Sequence, residues 1–119
     1  MKAKDLLGRS GEELAAQYLA AAGYDVLERN WRCRQGEIDL VARDGNTLVI
    51  AEVKTRSSLD YGHPFEAVNA AKLARLYLLA AAWTREHSAA RGGWRVDAVS
   101  VLLPGGDQQP VIEHLKGIG

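Results

Sequence analysis

Residues 36–56 read GEIDLVARDGNTLVIAEVKTR and are the most informative part of the sequence. Two largely apolar runs, residues 37–43 and 47–54, flank Asp44, Gly45 and Asn46, a strong signal for a β-hairpin turn. The second run is almost continuously apolar, as in a central strand that is covered on both faces. The stretch therefore predicts an antiparallel hairpin in the middle of a sheet.

The length of the turn decides which side chains of this hairpin lie opposite one another. A two-residue loop at 45–46 pairs residues whose numbers sum to about 91, so that Asp39 faces Glu52 directly. A loop at 44–45 shifts the sum to about 89, and Asp39 then lies diagonal to Glu52. Either loop keeps both carboxylates on one face, because side chains alternate along a strand. The same alternation adds Glu37 and Lys54.

Three acids and a lysine at the open end of a hairpin need compensation, because neighbouring like charges are costly. One interpretation is a salt-bridge cluster between Lys54 and nearby arginines. The other is a Mg²⁺ or Mn²⁺ ion between oxygens of Asp39 and Glu52, since hard cations prefer carboxylate and water ligands. Lys54 would then stabilise the attacking hydroxide or the developing phosphorane charge. The pattern alone slightly favours the salt bridges, because charged strand ends are common.

A helix is predicted before the hairpin, over residues 10–22. Ser10 and Glu13 have the spacing of a capping box, with Ser10 as the N-cap residue. Gly23 follows as a left-handed stop. Glu13 is thereby occupied at the helix start, whereas Glu12 sits at the border of the apolar face and can reach toward the carboxylates of the hairpin.

The remaining elements complete an α/β pattern. A helix is predicted to begin at Glu66 or Asn69 and to end at His87, and strands are predicted over residues 24–30, 94–103 and 110–114. The order of helix, three strands, helix and one or two strands predicts a mixed central sheet of about five strands flanked by helices. We expect residues 1–119 to form a single domain.

Composition limits the classes of function. The 119 residues include 15 basic and 15 acidic side chains, so the formal net charge is zero. This weighs against a protein that coats nucleic acid nonspecifically, but a nuclease stays open because metal-binding carboxylates count as negative. No apolar run is long enough to cross a membrane. A lone cysteine, Cys33, fits a reducing compartment, and we expect a cytoplasmic protein.

Residues 36–41 (GEIDLV) and 51–56 (AEVKTR) resemble the YraN family of bacterial predicted nucleases. The similarity covers nearly the whole chain and includes Asn30, Lys72 and residues 95–97. The resemblance implies a restriction-endonuclease-like fold similar to that of archaeal Holliday junction resolvases, which cut four-way DNA junctions as dimers. It therefore implies a homodimeric, metal-dependent endonuclease that hydrolyses phosphodiester bonds in DNA, including branched or structured DNA.

The resemblance also assigns roles to individual residues. Asp39 and Glu52 are expected to bind Mg²⁺ (or Mn²⁺), the Val53 carbonyl to complete the metal shell, and Lys54 to position or activate the water. An acid on the first helix of the family matches Glu12, which becomes a fourth catalytic and metal-binding candidate. Three basic residues are expected to contact the nucleic acid, with a solvated, salt-bridged surface as the competing interpretation: Arg34, Arg56 and Lys72.

Two other classes of function stay open at this point. The chain could be a nucleic-acid-binding adaptor that has the nuclease fold but little or no catalytic activity. The set of Asp39, Glu52 and Lys54 argues against a pure binder, because acids beside phosphates weaken binding. The chain could also be a protein-interaction domain in which these residues form only an ion-pair network.

Overall fold

The computed structural model describes residues 3–58, 60, 65, 69–87 and 93–118, with side chains from residue 7 onward. The strands form one sheet in the order β1-β2-β3-β4-β5, antiparallel except for the parallel pair of β3 and β4. The predicted mixed sheet of about five strands with flanking helices is confirmed. The elements are α1 (Ala3–Ala21), β1 (Asp25–Cys33), β2 (Gly36–Asp44), β3 (Thr47–Arg56), α2 (Ala70–His87), β4 (Trp94–Leu102) and β5 (Val111–Leu115).

The hairpin of β2 and β3 has the first of the two loops considered above. Asp44 pairs with Thr47 and Leu40 pairs with Ala51, so paired residue numbers sum to 91. Gly45 has a φ angle of 60°, a left-handed conformation that glycine adopts without a steric penalty. The turn therefore sets the register that places Asp39 and Glu52 at the open end of the hairpin.

Strand β3 is buried on both faces, as its apolar run predicted. Val49, Ala51 and Val53 pack with α1 in what we call the α1-side core. Leu48 and Ile50 pack with α2 in the α2-side core. The sheet therefore lies between two helices, and α2 provides the crossover from β3 to the parallel strand β4.

The predicted capping box is wrong. Helix α1 already includes Ala3, so Ser10 is an exposed residue inside the helix and not its N-cap. Glu13 instead accepts hydrogen bonds from Gln17 and from Arg29 of β1. A Cβ atom on Gly11 would lie 1.9 Å from Thr55 Oγ1, so this turn of the helix packs directly on β3. Because residues 3–9 are already helical, the N–H groups of residues 11–13 have carbonyl partners four positions earlier, and no cap is needed at Ser10.

The other helix boundaries follow local signals more closely. Gly23 has a φ angle of 96° and ends α1 as predicted. Asn69, one of the two predicted starts of α2, is its N-cap, because its Oδ1 accepts the Lys72 N–H at 3.0 Å. The alternative start at Glu66 lies outside the described residues. Neither helix in the described part of the chain is long and apolar enough to span a membrane.

Candidate functional site

The candidate site lies where the ladder between β2 and β3 ends. The last registered pair is Leu40 with Ala51, and the next positions are Asp39 and Glu52. Asp39 Oδ2 accepts the backbone N–H of Val53 at 2.8 Å, which fixes the carboxylate against the end of β3. Val53, expected to offer its carbonyl to a metal, therefore also orients Asp39 through its N–H group.

The alternation of side chains along β2 is broken at Asp39. Leu40 packs in the α1-side core, whereas Ile38, two positions away, packs in the α2-side core. A regular strand would place both side chains on one face. Asp39 therefore occupies an irregularity of the strand, a kind of feature that commonly re-aims a side chain beside a functional site.

Asn30 of β1 lies between two registered pairs and opposite Asp39, and it has a left-handed φ angle of 52°. Among residues other than glycine, asparagine adopts this conformation most readily. With its amide nitrogen facing the acids, Asn30 donates hydrogen bonds to Glu12 Oε2 and Glu37 Oε1, each at 2.9 Å. Asn30 thus ties the helix acid to the hairpin acids, a role that the sequence analysis missed. The left-handed preference of asparagine was the available signal.

Two of the grouped carboxylates, Asp39 and Glu12, have raised pKa values. Burial and, after it, the charges of Glu52, Glu12 and Glu37 raise the pKa of Asp39 to about 7. The hydrogen bond from the Val53 N–H acts in the opposite direction. Burial also raises the pKa of Glu12, and together with the charges of Glu37 and Glu52 it outweighs the hydrogen bond from Asn30 and the charge of Arg9, which lower it. The four acids therefore form one interacting group with an excess of negative charge.

Two lysines approach the same oxygen of Glu52. Lys54 Nζ lies 3.4 Å from Glu52 Oε1, and Lys72 Nζ of α2 lies 3.2 Å from it. Burial and the neighbouring Lys72 lower the pKa of Lys54. Burial opposes protonation of Lys72, but its contacts with Lys54 and Glu52 outweigh this and raise its pKa. Lys72, expected at the nucleic-acid surface, thus lies within the acidic group.

The donor set limits how a metal could be held. Within the described residues, no group of three or more Asp, Glu, His or Cys side chains is placed to hold a metal ion. Mg²⁺ commonly binds proteins through one or two carboxylates and keeps waters or substrate phosphates as its other ligands. Asp39 and Glu52 fit that mode, because both provide oxygen donors and a cation would relieve the repulsion that raises the pKa of Asp39.

Of the clefts that border the acids in the described part of the chain, two lie against β3. The α2-side cleft has a volume of about 260 Å³ and is lined by Gly36, Glu37, Asp39, Glu52, Lys72, Arg75, Leu76 and Leu79. The α1-side cleft has a volume of about 630 Å³ and is lined by Leu7, Gly8, Glu12, Val53, Lys54, Thr55, Arg56 and Ser57. Arg56 therefore lies beside the candidate site, whereas Arg34 is exposed in the turn between β1 and β2 and lines neither cleft.

A second polar cluster surrounds Asp97 on β4. Asp97 is fully buried and receives hydrogen bonds from Arg95 Nε at 2.9 Å and from the Gly117 N–H at 3.0 Å. His114 Nε2 of β5 lies 2.7 Å from its other oxygen. Burial opposes ionisation, but these partners outweigh it and lower the pKa of Asp97. The cluster fastens β5 and the following residues to β4, and spacing in the sequence does not reveal it.

Comparison with known proteins places the chain in a family. Residues 11–101 match the model of a group described as "Uncharacterised protein family UPF0102". The chain is 63% identical over 119 residues to a UPF0102 protein of Arthrobacter sp. (strain FB24), with full coverage of both chains. It is 60% identical over 118 residues to one from Paenarthrobacter aurescens, covering 99% of this chain and 97% of that one. A UPF0102 protein of Streptomyces griseus is 53% identical over 119 residues, with 99% of each chain covered. The chain therefore belongs to family UPF0102.

Proposed function

We propose that this protein is a metal-dependent endonuclease that hydrolyses phosphodiester bonds in DNA, including branched or structured DNA. The observation that carries the proposal is the position of Asp39, half-buried beside Glu52 with Glu12 and Glu37 in the same interacting group. A group of acids that repel one another is costly to the fold. A bound divalent ion would offset that cost. The motifs around Asp39 and Glu52 support a restriction-endonuclease-like fold for the chain.

Asp39 and Glu52 are the residues that would hold Mg²⁺ or Mn²⁺, with Glu12 behind them and the Val53 carbonyl at the end of β3. When bound, such an ion acidifies water and polarises the phosphoryl group. The chain's own contribution begins with Lys54, whose ammonium group would stabilise charge on the phosphate as water attacks. Lys72 reaches the same oxygen of Glu52 and adds a second positive charge at the reacting phosphate.

The reaction is a hydrolysis, so the water oxygen forms a bond to phosphorus and the bond from phosphorus to one bridging oxygen breaks. The water loses a proton and the departing oxygen gains one. Four acids near the phosphate would repel it without a cation, which is why we expect the activity to require a divalent metal.

The proposal is tested by incubating the protein with linear, flap and four-way DNA in Mg²⁺ or Mn²⁺. We expect cleavage that EDTA abolishes and that Asp39→Asn reduces by at least about a hundredfold, since a metal ligand is lost. Asp107→Asn is the matched control, because Asp107 is an exposed loop residue, and it should cleave like the wild type. Cleavage that persists in Asp39→Asn or in EDTA would overturn the assignment. Light scattering on the same sample tests the homodimer that the resemblance implies.

A nucleic-acid-binding adaptor is the second candidate, and one observation favours it. Glu52 already contacts Lys54 and Lys72, so its charge is compensated by the protein itself. Titration calorimetry with Mn²⁺ separates the two functions. Heat of binding that disappears in Asp39→Asn supports the nuclease, whereas DNA binding with no Mn²⁺ uptake supports the adaptor.

A further inference from the structure

The two clefts meet beside β3 just after its last pair with β2, at Ala51, but they open on opposite faces of the sheet. Glu52 lines the α2-side cleft and Val53, the next residue, lines the α1-side cleft. Lys54 belongs to the α1-side lining, yet its Nζ lies 3.4 Å from Glu52 Oε1. The candidate catalytic residues therefore stand between two openings, and an extended ligand can occupy both only by passing around the edge of β3 that β2 leaves unpaired after Ala51.

Each cleft carries two cationic side chains. Lys54 and Arg56 line the α1-side cleft, and Lys72 and Arg75 line the α2-side cleft. Within the described part of the chain, Arg56 and Arg75 form no ion pair with an acid. These two arginines stand on either side of the acidic group, where each can contact a phosphate. Phosphates are the ligands that such a pair of guanidinium groups suits.

The wall formed by α1 is open at Gly8. A Cβ atom added there would meet no atom within 4 Å, whereas one added at Gly11 would collide with Thr55. Gly11 is thus explained by packing of the helix on β3, and Gly8 is not. At Gly8 the missing side chain leaves the helix backbone accessible inside the α1-side cleft.

We propose that one unpaired nucleic-acid strand passes around the edge of β3 that β2 leaves unpaired after Ala51, with phosphates on one side of the scissile bond in the α1-side cleft and those on the other side in the α2-side cleft. The proposal rests on the proposed nuclease function. It adds the strand's path and the substrate class, a segment of DNA unpaired on both sides of the cut.

The geometry favours an unpaired strand over a duplex. Glu52 is only 8% exposed, so a phosphate must enter a recess to reach it. The path then turns from one face of the sheet to the other, and a duplex resists sharp bending whereas a single strand does not. Neither cleft has an aromatic side chain among its described lining residues, and stacking on aromatic rings is the usual means of holding unpaired bases. Recognition is therefore through phosphates and tolerant of sequence.

The test measures binding of a fluorescent single-stranded oligonucleotide by anisotropy in EDTA, where the proposed reaction does not run. Gly8→Glu places a carboxylate in the α1-side cleft, and we expect about tenfold weaker binding than for the control Gly8→Ala. Arg75→Ala removes one phosphate contact and should reduce the slope of log K against log salt by about 0.7. Arg85→Ala, an exposed arginine in the last turn of the same helix, should leave the slope unchanged.

The two substitutions should be additive in log K, and the wild type should bind the single strand at least about tenfold more tightly than a duplex of the same sequence. Circular dichroism confirms that each variant is folded. The strand path would be overturned if both variants bound like the wild type or if only one of them bound more weakly. It would also be overturned if the wild type bound duplex and single strand with equal affinity. If the variants behave as expected but the wild type cuts nothing with Mg²⁺, the path stands and the nuclease assignment falls.

Discussion

Replacing Asp39 by asparagine should stabilise the fold in the absence of metal. Asp39 is half-buried beside Glu52, and burial together with the neighbouring acids raises its pKa from 3.8 to about 7. Asparagine removes the charge but keeps an oxygen that can accept the Val53 N–H. The ionised carboxylate therefore costs folding free energy that the amide does not, and this cost is what a bound cation would offset.

The size and the pH dependence follow from the pKa. A shift from 3.8 to about 7 corresponds to an upper limit of about 4 kcal/mol at 1.36 kcal/mol for each pH unit. Because side chains relax and the neighbouring acids share protons, we expect a gain of about 1–3 kcal/mol. The stability that protonated Asp39 gives is fully present below pH 3.8 and is lost as pH rises through about 7. The advantage of the variant should therefore grow over this window and be constant above it.

Urea unfolding followed by tryptophan fluorescence measures this difference, because Trp31 and Trp83 are buried. Wild type and Asp39→Asn are compared in EDTA from about pH 4 to pH 8, the window in which the pKa of Asp39 predicts the change. Asp107→Asn is the control for loss of one exposed charge. Mg²⁺ should then stabilise the wild type and have little effect on Asp39→Asn.

Three results would refute this reasoning. Asp39→Asn could be less stable than the wild type at pH 8, which would mean that the carboxylate stabilises the fold. The difference could be the same at every pH, which would exclude Asp39 ionisation as its cause. Asp107→Asn could show the same gain, which would point to overall charge and not to the site.

Other predictions concern parts of the fold outside the acids. Gly11→Ala should lower the free energy of unfolding by about 1–3 kcal/mol, because the added methyl group collides with Thr55. Gly8→Ala should raise it by up to about 1 kcal/mol, because alanine favours the helix. Thermal melts of both variants measure the difference, and equal melting temperatures would contradict the packing of Gly11 on Thr55. Asp97→Asn should cost about 3–5 kcal/mol in urea unfolding at neutral pH. Because its partners lower the pKa of Asp97, the stability that the ionised carboxylate gives should be lost only as pH falls through that lowered pKa. A loss of less than about 1 kcal/mol in Asp97→Asn would refute the stabilising role of the buried cluster. Asn69→Ala should cost about 1 kcal/mol as the cap of α2, and unchanged stability would show that the cap is dispensable.

Much of the fold was predictable because it follows from local patterns. The Asp-Gly-Asn turn and the apolar run after it fix the hairpin, since a two-residue loop leaves few registers and side chains alternate from the turn as far as Leu40. Gly23 and Asn69 mark helix ends through their own backbone and side-chain preferences. These features are confirmed because each depends on residues close together in the chain.

The prediction at Ser10 was wrong for the opposite reason. Its capping motif is local, but α1 already begins at Ala3 and packs on β3 at Gly11, beside Thr55, a residue 44 positions later in the sequence. The grouping of Glu12 with the hairpin acids also depends on a distant residue, since Asn30 of β1 bridges Glu12 and Glu37. Contacts of this kind cannot be obtained from spacing alone.

The sequence alone places Asp39 and Glu52 side by side at the open end of one hairpin, because the turn length sets the register as far as Leu40 and Ala51. Tertiary packing then brings Lys72 of α2 to the Glu52 oxygen that Lys54 also approaches, and it places a left-handed Asn30 opposite Asp39. It also decided that the acids lie between two clefts on opposite faces of β3. The physical reason is that a hairpin's geometry is set by neighbouring residues, whereas the surroundings of its open end are set by helices that pack from distant parts of the chain.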